Sequence, residues 1–303
     1  MNDSLREALT RGAERLSAAG IETPRTDARV LLAHAFGVTP EALLAHDSSD
    51  ASGFAAFESS LLRRAAREPV AYITGSKEFW SLPFDVGPGV LIPRPESETL
   101  VEEALRSFPD PAARLRVLDL GTGSGCLLIA FLSGRVLATG LGIDASEAAL
   151  AYARRNAHRQ RLRERCDFLL ADWSAPLHGT FDLIFANPPY LSEAECDRCE
   201  PEIREHEPKV ALTAGRDGLE AIRALGPVLS RHLKARGLAF VEIGFSHAAT
   251  VGPILEAWGL EVRRIAPDLS GASRCFIVGL AGAAARGPKK ISWKEPCDSI
   301  ASS

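Results

Sequence analysis

The chain has 303 residues, of which 46% are hydrophobic, and a formal net charge of −4. That length and apolar content suit about two domains with a large core. No apolar run nears the roughly 20 residues that span a bilayer, which excludes a spanning helix, and the negative balance gives the molecule as a whole no electrostatic footprint for nucleic acid.

Met1-Asn2-Asp3-Ser4-Leu5-Arg6-Glu7 lacks the basic start and apolar stretch of a secretion signal. Six cysteines without a framework spacing suit a reducing cytoplasm. Residues 1–75 read as helices. Leu5, Leu9 and Leu16 recur at helical intervals, and Gly20 is placed to end that helix. A second helix over about Asp27 to Phe36 stops at Gly37. Thr39-Pro40 supplies a cap followed by a proline at the first position of a third, and Phe54, Phe57, Leu61, Leu62 and Ala65 continue the pattern to Pro69. The expectation is a small helical domain that binds the substrate, with ten acidic and eight basic residues. Residues 76–93 read as a linker. In it Lys77 to Trp80 and Phe84 to Val86 form a hairpin closed by a proline-containing turn at Leu82-Pro83, and Gly87-Pro88-Gly89 breaks regular structure again.

From residue 94 to 283 strands alternate with helices. The candidate strands are Arg116–Leu120, Thr139–Asp144, Asp167–Ala171, Asp182–Ala186, Leu238–Ile243, Glu261–Ile265 and Arg274–Gly279. Helices between most of them imply a mainly parallel sheet covered on both faces. The last two are separated by too few residues for a crossover helix and are expected to form an antiparallel hairpin at the sheet edge. The predicted fold is therefore α/β: a seven-stranded Rossmann-like sheet of the methyltransferase kind with an antiparallel last strand, plus the N-terminal helical domain. Residues 284–303 read as a disordered tail. Arg154, Arg155, Arg159, Arg161, Arg163 and Arg165 read as a solvated helix face, Cys196 and Cys199 as free thiols, and no metal site is expected.

Two segments carry chemistry. Gly121-Thr122-Gly123-Ser124-Gly125 follows a strand and opens a helix; its glycines permit a sharp turn and close ligand approach. The spacing G-x-G-x-G differs from the G-x-G-x-x-G of nicotinamide enzymes. Asp144 ends the next strand, where a carboxylate can accept from both ribose hydroxyls. Asp172 can accept the adenine amino hydrogen, and Trp173 either lies along that ring or is a core aromatic. A loop that needs to hold a sugar and an amino acid rather than a pyrophosphate favours S-adenosylmethionine. The second segment, Asn187-Pro188-Pro189-Tyr190, ends an apolar strand. Asn187 carries a donor and an acceptor, the prolines stiffen the backbone, and Tyr190 offers a face for a planar group. The Asn187 side-chain oxygen and the Pro188 carbonyl can accept both hydrogens of an NH2 group and aim its nitrogen at a methyl. Adenine and cytosine amino groups share that shape, so a nucleic-acid N-methyltransferase is the alternative; the acidic N-terminal domain argues against it.

At these residues the chain resembles the N5-glutamine methyltransferases that modify peptide chain release factors. The likeness runs from residue 1 to about 280. It includes Glu68-Pro69-Val70-Ala71-Tyr72-Ile73-Thr74-Gly75, Val90-Leu91-Ile92-Pro93-Arg94-Pro95-Glu96-Ser97-Glu98, His206-Glu207-Pro208 with Ala211-Leu212, and Gly215-Arg216-Asp217-Gly218-Leu219. Ser97 departs mildly, since the family more often has threonine there. The resemblance implies S-adenosylmethionine bound by Gly121 to Gly125, Asp144, Trp173 and Asn187. It implies substrate contacts from Asn187, Pro188, Pro189 and Tyr190, and as acceptor the glutamine of a Gly-Gly-Gln loop. The expected partner is a release factor and the expected form a cytoplasmic monomer.

Overall fold

The computed structural model describes residues 3–44, 50–173, 175, 177–244 and 247–282. The tail expected at 284–303 lies outside the described residues. The N-terminal layer holds α1 (Asp3–Ala18), α2 (Pro24–Ala35), α3 (Ala51–Ala65) and the short α4 (Val70–Thr74). Both α1 and α2 end in the same way. Gly20 and Gly37 take left-handed φ of 74° and 65°, and the amides of Ile21 and Val38 reach back to Leu16 O and Ala33 O at 3.1 and 3.0 Å, which satisfies carbonyls the helices leave open. Leu5, Leu16, Leu31, Leu32, Phe57 and Leu61 form a core of their own there. Thr39-Pro40 opens less than expected. The Thr39 hydroxyl caps the amide of Ala42 at 3.2 Å, but only a 3₁₀ turn over Ala42–Leu44 follows. The next α-helix restarts at Ala51 because Asp50 captures the amide of Ser52 at 3.0 Å.

β1 (Ser76–Phe79) and β2 (Leu82–Asp85) pair as an antiparallel hairpin. Its turn is not at the proline. Trp80 and Ser81 close it with φ of 55° and 57°, the left-handed pair whose twist suits a two-residue hairpin, and Glu98 takes the Trp80 amide hydrogen at 2.7 Å. Pro83 sits within β2 opposite Glu78, which a two-stranded ribbon tolerates because one edge needs no ladder donor.

The remaining elements are α5 (Glu98–Ser107), β3 (Arg116–Leu120), α6 (Cys126–Ser133), β4 (Thr139–Asp144), α7 (Glu147–Arg159), β5 (Cys166–Leu170), β6 (Phe181–Ala186), α8 (Glu193–Cys196), α9 (Pro201–His206), α10 (Glu220–His232), β7 (Leu233–Glu242), α11 (Ala248–Glu256), β8 (Leu260–Pro267) and β9 (Ser273–Leu280). The seven-stranded sheet has the order β5-β4-β3-β6-β7-β9-β8. β9 alone runs against its neighbours, lying antiparallel to both β7 and β8. Alternate residues feed two cores: Val117, Leu183, Phe185 and Phe240 on one face, Leu118, Ile184, Ala239 and Val241 on the other. That double burial is why these strands read as continuous apolar runs. The chain reverses direction across the sheet between β3 and β6, the place where open α/β sheets bind ligands at strand C-termini.

The two layers are tied by charge. Arg64 of α3 is buried and bonds Asp27 and, in α9, Glu202, each at 2.7 Å. The arginines of α7 and after are largely occupied within the chain. Arg154 meets Glu147 at 2.6 Å and Arg159 meets Asp85 at 2.5 Å. Arg155 stacks on Tyr152, and Arg165 donates to the carbonyls of Leu132, Arg135 and Ala138.

Candidate active site

A cavity of about 570 Å³ opens at the C-terminal ends of β3, β4 and β6. Its wall includes Gly121, Thr122, Gly123, Ser124, Asp144, Asp172, Trp173, Asn187 and Pro189. Pro188 and Tyr190 are not on that wall: Pro188 is buried, and Tyr190 lies near enough to Glu242 to oppose the rise of its carboxyl.

The glycine turn is built by main-chain groups. Gly121, Gly123 and Gly125 have φ of 74°, 56° and 81°, a region that costs other residues about 1–2 kcal/mol. The amides of Gly121 and Thr122 both donate to Ile143 O at 2.9 Å. A Cβ on Gly121 would come within 3.7 Å of the Trp173 ring, and one on Gly125 within 2.9 Å of Ile129 Cδ1. Trp173 therefore covers the first glycine while also packing against the second core. Asp144 accepts from the Gly123 amide through Oδ2 and from the Ser146 amide through Oδ1, each at 2.9 Å. Each oxygen keeps a lone pair for a ligand, and burial raises the carboxyl above its ordinary value despite those bonds. Below the loop Asp119 is buried and takes the Thr122 hydroxyl hydrogen at 2.6 Å. Burial pushes it up to about 7, with Asp144 adding to the rise.

The sequence assigned no role to the residues that brace this site: Ser97 and Glu207 stood only in family segments, and Asn156 and Glu242 in none. Asn156 of α7 donates to Ser124 O and Asp85 O at 2.9 and 3.0 Å, bolting the hairpin to the glycine turn. Glu207, 4% exposed, takes the Ile92 amide hydrogen at 3.1 Å and pairs with Arg94 at 2.5 Å. The segments around Val90 to Glu98 and His206 to Pro208, far apart in the chain, thus meet across the cavity mouth. Ser97 and Glu242 are each 1% exposed. Asn187 Nδ2 donates to Ser97 Oγ at 3.1 Å, and Ser97 Oγ donates to Glu242 Oε2 at 2.5 Å. The sequence signal for Glu242 was a lone acid in the apolar run Phe240-Val241-Glu242-Ile243. Beyond Tyr190 the backbone is pinned: Leu191 N donates to Leu212 O at 3.0 Å, and Ala214 N to Leu191 O at 2.8 Å.

The wall carries three carboxylates, Asp144, Asp172 and Glu220, against one guanidinium, Arg94, and that guanidinium is taken by Glu207. Such a wall suits a cation and repels a pyrophosphate. A left-handed glycine turn, a ribose-competent carboxylate and an aromatic cover together fit S-adenosylmethionine. Among the described residues no group of three or more His, Cys, Asp or Glu is arranged to hold a metal ion, and no helix is long and apolar enough to cross a membrane.

Comparison with known proteins gives a consistent picture. The PrmC N-terminal domain matches residues 7–75, and a methyltransferase domain matches residues 112–214. A release factor glutamine methyltransferase of Caulobacter vibrioides is 44% identical over 280 residues, covering 91% of this chain and 96% of the relative. Its counterpart in Rhodospirillum rubrum is 42% identical, covering 89% and 83%. Among solved structures, a release-factor-specific protein-(glutamine-N5) methyltransferase of Alicyclobacillus acidocaldarius is 28% identical. That match covers 65% of this chain and 99% of the other, with a TM-score of 0.39.

Proposed function

The chain belongs to the release factor glutamine methyltransferase family, and we propose that it methylates the side-chain amide nitrogen (N5) of the glutamine in the Gly-Gly-Gln loop of peptide chain release factors, using S-adenosylmethionine. The observation that carries this reading is the Asn187 amide at the cavity wall, with its NH2 end held by Ser97. Asn187 Oδ1 is then the end offered to the acceptor.

Gly121, Gly123, Asp144 and Trp173 hold the cofactor, with Asp172 at the adenine end. When bound it supplies a methyl on a positively charged sulfur, an already activated leaving group. The protein's task is positioning. An amide nitrogen is a weak nucleophile because its lone pair is shared with the carbonyl. Asn187 Oδ1 and the main-chain carbonyl of Pro188, which joins the wall residues Asn187 and Pro189, accept the two amide hydrogens and fix the direction of that nitrogen. The stiff Asn-Pro-Pro backbone holds both acceptors at little entropic cost, and Tyr190 gives the planar group a face. Good alignment supplies about 7–11 kcal/mol of the acceleration. The nitrogen gains a methyl and releases one hydrogen as a proton, so no strong base is needed before attack. Two flanking glycines let the acceptor loop enter the cleft without side chains. The helical layer α1–α3, with its groove lined by Thr10, Glu14, Arg25 and Arg29, grips the rest of the factor.

Mass spectrometry of a purified release factor after reaction is expected to show one added methyl on that glutamine, absent when the glutamine is alanine. Methyl transfer to DNA or RNA with none to the factor would replace this reading with the nucleic-acid one. In the same assay a short Gly-Gly-Gln peptide is expected to show a higher KM than the intact factor; equal values would remove the helical layer from substrate binding.

A further inference from the structure

Behind Asn187 lies a row of three side chains with a direction. The Ser97 hydroxyl has one hydrogen and stands between Asn187 Nδ2 and Glu242 Oε2. Which end of an asparagine amide faces a neighbour follows from the hydrogen-bond network around it. An ionised carboxylate can only accept, so it takes the Ser97 hydrogen. The serine oxygen then offers Asn187 nothing but lone pairs, and only the NH2 end of Asn187 can meet them.

We infer that Glu242, acting through Ser97, is a positioning residue that fixes the Asn187 amide with its oxygen toward the substrate. The inference rests on the reading of the acceptor as an NH2 group. A protonated Glu242 can instead donate to Ser97 Oγ. The serine hydrogen is then free for Asn187 Oδ1, the amide turns over, and its NH2 end meets the NH2 of the acceptor. Two donors face each other, and the nitrogen loses its alignment. The site is closed enough to make the row matter, since a buried polar group without a partner of the right sense costs more than a good bond returns.

The titratable and charged groups that act on Glu242 are Glu96 beside Ser97, Tyr190 after β6, Arg274 and Cys275 on β9, and Cys126 at the start of α6. Burial pushes its carboxyl up to about 7, Glu96 adds to the rise, and Ser97, Arg274 and Tyr190 oppose it. Arg274 is shared with Asp268 at 3.0 Å, which leaves Glu242 short of a full counter-charge. The row therefore changes direction within the neutral range.

The test uses the whole enzyme and an intact release factor. Wild-type kcat is expected to fall on the acid side with a midpoint near 7. Glu242→Gln loses that limb and turns over about 10–100 times more slowly above it, the span of one hydrogen bond to a charged group. Cofactor affinity and acceptor KM change little. Ser97→Ala falls similarly, and Ser97→Thr, which keeps the hydroxyl, recovers most of the loss. Glu242→Gln with wild-type kcat and an unchanged acid limb overturns the inference. A second readout needs no substrate. The chain has three asparagines, Asn2, Asn156 and Asn187, so a 15N-asparagine sample gives few side-chain amide signals. Those of Asn187 are expected to titrate through the neutral range. Those of Asn156, locked between the carbonyls of Ser124 and Asp85, stay fixed. An Asn187 signal that is flat with pH and also unmoved by Glu242→Gln overturns the inference whatever the substrate is. A titrating Asn187 with no methyl on the release factor overturns only the proposed acceptor.

Discussion

The two sides of the cavity are built from different parts of the peptide. On the cofactor side, the turn from Gly121 to Gly125 is held by main-chain bonds to Ile143 and by the carboxylate of Asp144, two segments joined through adjacent parallel strands. On the acceptor side, Asn187 is held by side chains drawn from distant parts of the chain, Ser97 at the start of α5 and Glu242 at the end of β7. A backbone-built wall tolerates most side-chain changes but not an added Cβ. A wall built from a side-chain row is the reverse: the backbone stays in place when a member is removed, and only the chemistry at its end changes. The first kind couples ligand binding to folding, and the second separates turnover from stability.

Breaking the acceptor side gives the largest effect. Asn187→Ala is expected to lower kcat by about 10²–10³, the range for removing one preorganised hydrogen-bonding group from a reacting centre, with the thermal midpoint nearly unchanged. Parallel kinetics and calorimetry check this, and a fall in midpoint to match the fall in kcat would show that both walls are structural. Asp144→Ala probes the cofactor side. It removes the acceptor for ribose and also releases the Gly123 and Ser146 amides. A loss of roughly 1–3 kcal/mol in cofactor binding is expected, here accompanied by a lower thermal midpoint. Titration calorimetry showing wild-type affinity would remove Asp144 from the site.

A pH effect, the smallest of the three per unit step, sharpens the comparison, because each side hides one carboxyl. Burial raises Asp119 and Glu242 to about 7. Between the ordinary carboxylate range and that value the folded chain holds more protons than the unfolded one. By linkage each group stabilises the fold fully at the acid end of this window, and that stability is lost as pH rises through 7, at no more than about 1.4 kcal/mol per pH unit per group. Glu242→Gln should flatten part of the slope in thermal midpoint against pH, and the part contributed by Asp119 should remain. A wild-type midpoint that climbs steadily from acid to neutral pH would show these two groups do not govern it.

Local chemistry was legible in the sequence wherever neighbours in the chain are neighbours in space. Glycine spacing, a strand before it and a helix after it gave the turn. Strand and helix alternation gave the sheet, and the short gap before the last strand gave its reversed direction. Asn187-Pro188-Pro189-Tyr190 announced its chemistry because proline stiffens whatever precedes it in any fold. Tertiary structure decided what depends on contacts between distant segments. The hairpin turns at Trp80 and Ser81 because Glu98 lies under it, and no local rule favours left-handed tryptophan. Thr39-Pro40 makes one 3₁₀ turn because Asp50 starts a new helix. Glu207 closes on Ile92 and Arg94, and Glu242 reaches Asn187 through Ser97, only once the sheet has brought those segments together. A residue's type states which bonds it can make, and the packing of the whole chain determines which partner it finds.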